Sequence, residues 1–249
     1  MPAPNRVTPF GAVAAIEQRG LFMGNRGCIH GKPREIVRPW QVRRWITCAL
    51  EYKGWVAPRW EPRRWTPLFF WDEAVALAAG HRPCALCRHA AYLAWLDAWE
   101  EAFGDRPKAD PMDRRLHDDR VDGRAQRRHR LAWDTVPDGA FVLVAGDGGD
   151  HVEGVDVGGG GGGHVGGVDD VGGGQGGAQA GDGGQPGGDG PRAAVVLGDR
   201  LVPWSAAGYG PSIDRPARGD ATVLTPRATV EVIRHGYRPL LHPSATDRC

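Results

Sequence analysis

Residues 69–88 have the sequence FFWDEAVALAAGHRPCALCR, and this stretch decides the fold. Asp72 is a suitable helix N-cap and Gly80 suits the position just after a helix end, so a helix of about two turns is predicted between them. Cys84 and Cys87 follow in a Cys-x-x-Cys turn, which places two sulfur atoms within reach of one metal ion. The sequence therefore predicts a short helix that leads directly into half of a metal site.

Two further cysteines, Cys28 and Cys48, lie upstream of this turn. Four thiolates are what a closed tetrahedral zinc site needs, so the chain is expected to bind one structural Zn²⁺. The four predicted zinc ligands are Cys28, Cys48, Cys84 and Cys87. His30 and His89 are the alternative ligands, because each lies two residues beyond one of these cysteines.

The stretch at 69–88 resembles the second half of the Ada-type zinc-binding domain, a family that includes the methyl-phosphotriester-accepting part of a DNA repair protein. The likeness rests on the paired phenylalanines, the alanines that follow and the run GHRPC at 80–84, and an extension back to residue 28 would include all four cysteines. It implies that Cys84 and Cys87 bind zinc, that a basic surface meets DNA, and a connection with repair. The first ligand pair of that family, Cys-x-x-x-Cys, has no counterpart here, which argues against methyl transfer to a cysteine.

A basic region rich in tryptophan precedes the Cys-x-x-Cys turn. Residues 19–64 carry 11 Lys or Arg against three acidic residues, and arginine alternates with tryptophan from 38 to 65. Guanidinium groups bind phosphates and indole rings stack on bases, so this region predicts a surface for nucleic acid, DNA in particular. The alternative is that the tryptophans form a core covered by arginine stems. The predicted nucleic-acid-binding residues are Arg38, Arg43, Arg44, Trp45, Arg59, Arg63 and Arg64.

A glycine-rich segment divides the second half of the chain. From residue 146 to 190 it contains 23 glycines and eight acidic residues in 45 positions, without a regular repeat. Such a composition cannot bury enough apolar area to offset the loss of backbone entropy, so 146–192 is predicted to be a disordered insertion. The flanking stretches 140–145 and 193–197 are predicted to pair as a hairpin with the insertion at its tip.

The pattern of elements predicts an α+β fold. We expect a small zinc-stabilised N-terminal domain with short antiparallel strands and helices, followed by a β-rich C-terminal part. The expected divisions are a disordered arm at 1–9, a zinc domain at 10–104, a helical and basic connector with one strand at 105–145, and a C-terminal part at 193–249 with one helix at 226–235.

Several classes of protein are disfavoured by the sequence. It has no apolar run of 18 residues and no signal-peptide pattern, so neither a membrane span nor secretion is expected. Five cysteines suit metal binding in a cytoplasmic protein better than disulfides. We expect a cytoplasmic zinc protein that binds nucleic acid. The alternative is a zinc-stabilised protein with an enzymatic or protein-interaction site in its C-terminal part, although no motif predicts a particular reaction.

Overall fold

The structure is a computed structural model of the chain and describes residues 1–55, 57, 60–145 and 190–246. The strands are β1 (Pro4–Val7), β2 (Val13–Ala15), β3 (Phe22–Asn25), β4 (Ile46–Cys48), β5 (Leu68–Phe70), β6 (Arg82–Pro83), β7 (Val121–Asp122), β8 (Ala125–Gln126), β9 (His129–Ala132), β10 (Phe141–Val144), β11 (Arg192–Leu197), β12 (Arg200–Ser205), β13 (Gly208–Tyr209), β14 (Ile213–Asp214) and β15 (Asp220–Val223). The helices are α1 (Glu73–Ala78), α2 (His89–Phe103), α3 (Ala109–Arg120) and α4 (Arg227–Arg234). This mixture of helices and sheets confirms the predicted α+β class.

The first sheet contains six strands in the order β2-β1-β5-β3-β4-β6. Most neighbours are antiparallel, as predicted, but β1 runs parallel to β5 and β4 runs parallel to β6. Strand β1 lies within the segment 1–9, for which a disordered arm was expected. Val7 is buried in a core with Leu68 and Phe70, and the Asn5 side chain donates to the Pro67 carbonyl at 3.1 Å. These contacts correct the expectation, because they place the arm inside the sheet.

The second sheet contains seven strands, in the order β13-β12-β11-β10-β15-β9 with β14 paired to β12. Strands β10 and β11 form the antiparallel pair expected on either side of the insertion, with Val144 opposite Arg192. Residues 146–189 lie outside the described residues, as does the prediction made for them. Helix α4 occupies the position predicted for a helix at 226–235, and none of the described helices is both long enough and apolar enough to cross a membrane.

Helix α1 belongs to three cores at once, which explains why all six of its residues are buried. Ala74 packs with Phe141 and its neighbours in the second sheet, Ala76 packs with Leu68 of the first sheet, and Leu77 packs with helices α2, α3 and α4. The zinc domain predicted at 10–104 and the C-terminal part therefore share buried surface. The boundary expected at residue 104 does not separate two independent cores.

Asp72 fixes the start of α1 and ties it to the C-terminal part. Its carboxylate accepts from the Val75 N–H at 2.9 Å, which is the predicted N-cap bond. The same side chain accepts from the Tyr209 hydroxyl at 2.7 Å and the His242 N–H at 3.0 Å. One buried carboxylate thus satisfies donors from three separate parts of the chain.

Candidate metal centre

Cys48, Cys84 and Cys87 form the one group of three or more potential metal ligands found in the described part of the chain. Their Sγ atoms all lie within 4.8 Å of one another. Three thiolates on one Zn²⁺ have sulfurs about 3.8 Å apart, given a Zn–S distance near 2.3 Å. The three cysteines therefore suit a common metal ion in number, type and spacing.

The parallel pairing of β4 with β6 brings the first two of these cysteines together. Cys48 is the last residue of β4, and Cys84 directly follows β6. The Arg82 N–H donates to the Trp45 carbonyl at 3.1 Å, and the Cys84 N–H donates to the Thr47 carbonyl at 2.9 Å. Two adjacent backbone bonds therefore hold the upstream cysteine beside the Cys-x-x-Cys turn.

The turn itself is closed by backbone N–H groups that point at sulfur. The Leu86 N–H donates to Cys84 Sγ at 3.4 Å, and the Arg88 N–H donates to the Cys84 carbonyl at 3.2 Å. The Cys48 thiol and these local N–H groups lower the pKa of Cys84 to about 5, against the opposing effect of burial. Cys48, as the donor in that bond, has a raised pKa. The surroundings of Cys84 therefore favour its thiolate, the form in which cysteine binds a metal ion.

Cys28 does not join the other three predicted ligands. Strand β3 ends at Asn25, and the chain then turns at Gly27, whose φ is +89°, so that Cys28 lies in the loop after this turn. The Cys28 N–H donates to the Gln41 side chain at 2.7 Å, and its Sγ contacts the His30 carbonyl at 3.7 Å. The predicted four-cysteine site is therefore present as three cysteines, with the fourth held in a different loop.

Neither alternative histidine joins the cysteine group. Both ring nitrogens of His30 are engaged, Nδ1 with the Thr66 hydroxyl at 2.6 Å and Nε2 with the Glu61 carbonyl at 3.2 Å. His89 Nδ1 pairs with the carbonyl of Ala85, in the turn just before α2, at 3.0 Å. His30 is thus a structural residue of its loop, and His89 belongs to the start of the helix.

Helix α2 begins at His89, directly after the Cys-x-x-Cys turn. The Cys-x-x-Cys turn occupies the residues before it, where the Cys84 N–H bonds to Thr47 of β4 and the Leu86 N–H bonds to Cys84 Sγ. Arg88, at the end of this turn, donates to Glu73 Oε1 at 2.7 Å. Glu73 also accepts from the Tyr237 hydroxyl at 2.5 Å, so the turn is connected through one buried carboxylate to the C-terminal part.

Most residues of the predicted nucleic-acid surface are exposed, but Trp45 is not. The exposed members are Arg38, Arg43, Arg44, Arg63 and Arg64. Trp45 is only 4% exposed, and its ring lies between the guanidinium groups of Arg26 and Arg120, at 4.1 and 4.0 Å from the ring centroid. It cannot stack on a base, so the alternative of a core tryptophan applies to it. Arg59 lies outside the described residues.

Arg43 and Arg44 line a groove of about 720 Å³ between the first sheet and helix α3. The residues that line it are Asn25, Gly27, Val42, Arg43, Arg44, Ile46, Asp110, Asp113 and Arg114. Arg114 was not expected from the sequence. No local pattern could indicate it, because its place in the groove depends on how α3 packs against residues 42–46.

The charges of this groove are unevenly paired. Asp113 is buried and bound by Arg82 through two bonds of 2.8 and 2.7 Å, while exposed Asp110 binds Arg44 at 2.7 Å. Among the residues that the structure describes, the side chains of Arg43 and Arg114 form neither an ion pair nor a hydrogen bond. Two exposed guanidinium groups at the groove are therefore free to meet an anion.

Buried positive charge lies directly behind the groove. Arg26 donates to His81 Nε2 at 3.3 Å and to the Gly11 carbonyl at 2.9 Å, and Arg120 donates to the Gly80 and Arg43 carbonyls. Burial lowers the pKa of Arg26 to about 9 and lowers that of Arg120, which also faces other arginines. In the described residues neither forms an ion pair with a carboxylate, although Asp113 and Asp118 partly offset the charge of Arg120 from a greater distance.

Comparison of the chain with protein-family models, with curated proteins and with solved structures finds no match. The resemblance of residues 69–88 to the Ada-type zinc domain therefore stays a prediction.

Proposed function

We propose that this is a zinc-binding protein in which Cys48, Cys84 and Cys87 hold the metal. The observation that supports it is the approach of three sulfur atoms to within 4.8 Å of one another. Thiolates are preferred ligands of Zn²⁺, and when bound the ion supplies a cross-link between β4 and the Cys-x-x-Cys turn. The described residues provide three ligands, and the fourth comes from solvent, from a bound molecule or from another cysteine.

Metal analysis of single variants tests this proposal, with Cys28→Ser as the matched control. We expect about one zinc per chain in the wild type and in Cys28→Ser. The variants Cys48→Ser, Cys84→Ser and Cys87→Ser should each bind zinc at least about tenfold more weakly. Loss of zinc from Cys28→Ser as well would establish the four-cysteine site. Full retention of zinc by Cys48→Ser, Cys84→Ser and Cys87→Ser would mean that the metal binds elsewhere.

Cobalt substitution identifies the fourth ligand. The Co²⁺-thiolate charge-transfer absorption grows with the number of sulfurs on the metal. We expect equal intensity from the wild type, Cys28→Ser and Cys249→Ser if water or another small molecule completes the site. A drop of about a quarter in one of these variants would instead identify that cysteine as the fourth ligand.

A second proposed function, nucleic-acid binding, is supported by the groove. Arg43 and Arg114 present unpaired guanidinium groups there, and Arg26 and Arg120 add buried positive charge behind it. Arginine is suited to phosphate because its planar fork of donors matches two phosphate oxygens. DNA is the polyanion expected from the basic composition of residues 19–64, with RNA as the competing partner.

A fluorescence-polarisation titration with labelled oligonucleotides tests this second proposal. Binding should weaken steeply between 50 and 200 mM salt, because bound phosphates release counterions. The double variant Arg43→Ala, Arg114→Ala should bind at least about tenfold more weakly at 50 mM salt. Arg218→Ala is the control, since it removes an exposed arginine that does not line the groove. Absence of any binding by the wild type at 50 mM salt would overturn the proposal.

A further inference from the structure

We infer that the groove accepts an unpaired nucleotide of a single strand, with its phosphate at Arg43 and Arg114 and its base against Val42 and Ile46. This inference rests on the proposed nucleic-acid binding and specifies the form of the ligand. It follows from three features of the groove: its shape, the chemistry of its lining and the charge behind it.

The shape of the groove favours a small inserted group over a duplex. Its volume of about 720 Å³ falls in the usual range of small-ligand sites, roughly 300–1,000 Å³. The ends of β3 and β4 border one side and the first turns of α3 border the other. A duplex keeps its bases stacked inside a convex phosphate surface, so it would touch only the rim. An unstacked nucleotide of a single strand can enter.

The lining offers both halves of a nucleotide a partner. Val42 is 39% exposed and Ile46 is half-buried, so both present apolar surface on which a base can lie. Asn25 Oδ1 accepts from the Gly27 N–H at 3.2 Å, which leaves the amide NH₂ of Asn25 as a donor for a base or sugar oxygen. Arg43 and Arg114 supply the contacts to phosphate at the edge of this apolar floor.

The groove wall is fixed in place before any ligand arrives. The Arg26 carbonyl accepts from the Gln41 and Val42 N–H groups at 2.9 and 3.2 Å, while Arg120 donates to the Arg43 carbonyl. The two buried arginines therefore hold the backbone that carries Val42 and Arg43, and they add positive potential to the same wall. A preformed, positively charged wall lowers the cost of ordering a strand on binding.

Asp110 provides an independent test of the charge argument, because it competes with phosphate for Arg44 at the rim. Asp110→Asn removes a negative charge from the groove and leaves Arg44 with only its longer contact to Asp113, at 3.8 Å. Since the Asp110 side chain is 68% exposed, the change should leave the fold intact. We expect single-stranded binding to tighten by about threefold to tenfold at low salt.

The decisive experiment compares three labelled 12-nucleotide ligands of one length: a single strand, a duplex and an abasic single strand with the same phosphates. We expect the single strand to bind at least about tenfold more tightly than either of the others. The slope of the logarithm of the binding constant against the logarithm of the salt concentration reports the number of phosphate contacts. Arg43→Ala and Arg114→Ala should each lower this slope by about one, and Arg218→Ala should leave it unchanged.

The outcomes separate this inference from the function on which it rests. Equal affinity for the duplex, or for the abasic strand, would overturn insertion of a base while leaving nucleic-acid binding in place. Failure of all three ligands to bind at 50 mM salt would overturn both. Weaker rather than tighter binding by Asp110→Asn would contradict the charge argument for this groove.

Discussion

Buried charge is unusually concentrated at a few side chains around the groove and α1. Arg82 and Asp113 form a pair whose side chains are 2% and 4% exposed, a few residues from the metal-binding turn. A buried pair is costly to break, because the remaining ion keeps its desolvation penalty without its partner. The ion pair of Arg44 with Asp110 has the same chemistry at exposures of 58% and 68%, where solvent screens it.

These two pairs lead to a prediction on stability. Asp113→Ala should lower the free energy of unfolding by about 3–5 kcal/mol, because Arg82 is left buried and unpaired. Asp110→Ala, the matched control, should cost no more than about 1 kcal/mol. Urea denaturation followed by tryptophan fluorescence measures both. A loss of under about 1 kcal/mol in Asp113→Ala would show that Arg82 finds another partner.

The pH dependence of stability has a predicted contribution from Asp72. Burial raises the pKa of this carboxyl to about 6, although three donors face it. In the unfolded chain the pKa of an aspartate is about 3.9. At a pH between these two pKa values, Asp72 is therefore protonated in the native state and ionised in the unfolded state. The stabilisation from this group is therefore complete below about pH 4 and is lost as pH rises through 6.

Comparison with Asp72→Asn isolates this contribution, since the rest of the chain titrates equally in both proteins. From pH 7 to pH 5 the wild type should gain about 1 kcal/mol of unfolding free energy relative to the variant. Urea denaturation at the two pH values measures the difference. A wild type that loses stability relative to the variant at pH 5 would mean that the three donors keep Asp72 ionised.

At the scale of secondary-structure elements, the candidate metal centre is a junction between β4 and the Cys-x-x-Cys turn. The Leu86 N–H donates to Cys84 Sγ, and the Cys84 N–H donates to the Thr47 carbonyl of β4. The first of these hydrogen bonds forms only while the sulfur atom stays in place, and a bound metal ion would hold it there. The same junction includes the short parallel pair of β4 and β6, which has few bonds of its own.

Metal removal should therefore loosen this junction before the rest of the fold. In hydrogen exchange, peptides covering 46–50 and 84–88 should exchange at least about tenfold faster after chelation, while a peptide from β12 keeps its rate. The metal-free Cys48→Ser variant, treated with the same chelator, is the control for an effect of the chelator itself, and its exchange should not change. Uniform acceleration across both sheets would show instead that the metal supports the whole fold.

Sequence reasoning succeeded for elements whose signals are local. The Asp72 cap, the end of α1 before Gly80 and the hairpin around the glycine-rich segment all follow from neighbouring residues. Which cysteines form the metal group was harder to predict. The parallel pairing of β4 with β6, which are far apart in the sequence, brings Cys48 to the group and leaves out Cys28. The burial of Trp45 and the position of Arg114 likewise depend on the packing of α3, which no short pattern specifies.

At the scale of the whole molecule, the described residues form two large sheets joined through α1, together with the two-stranded sheet of β7 and β8. Because α1 packs against both sheets and three helices, the metal-binding part and the C-terminal part should unfold together. The glycine-rich segment, by contrast, connects the ends of β10 and β11, where Val144 and Arg192 already pair. Insertions at such a position add only loop-closure entropy.

Deletion of residues 146–189 tests this view, since it leaves Ala145, Gly190 and Pro191 as a short connection. The free energy of unfolding should change by only about 1–3 kcal/mol, because loop entropy depends on the logarithm of length. Zinc content should be unchanged. Thermal and urea denaturation of the deleted and full-length proteins provide the comparison, and a fall in melting temperature of more than about 10 °C would contradict it.

The burial of α1 also bears on how the protein is made. The ribosome releases residues 73–78 well before Val195 and Tyr209, which cover one face of this helix in the finished molecule. At about 5–20 residues per second the delay is on the order of ten seconds. Over that interval the nascent chain already exposes Cys48, Cys84 and Cys87 outside the ribosome, while the helix that leads into the Cys-x-x-Cys turn still lacks part of its final covering.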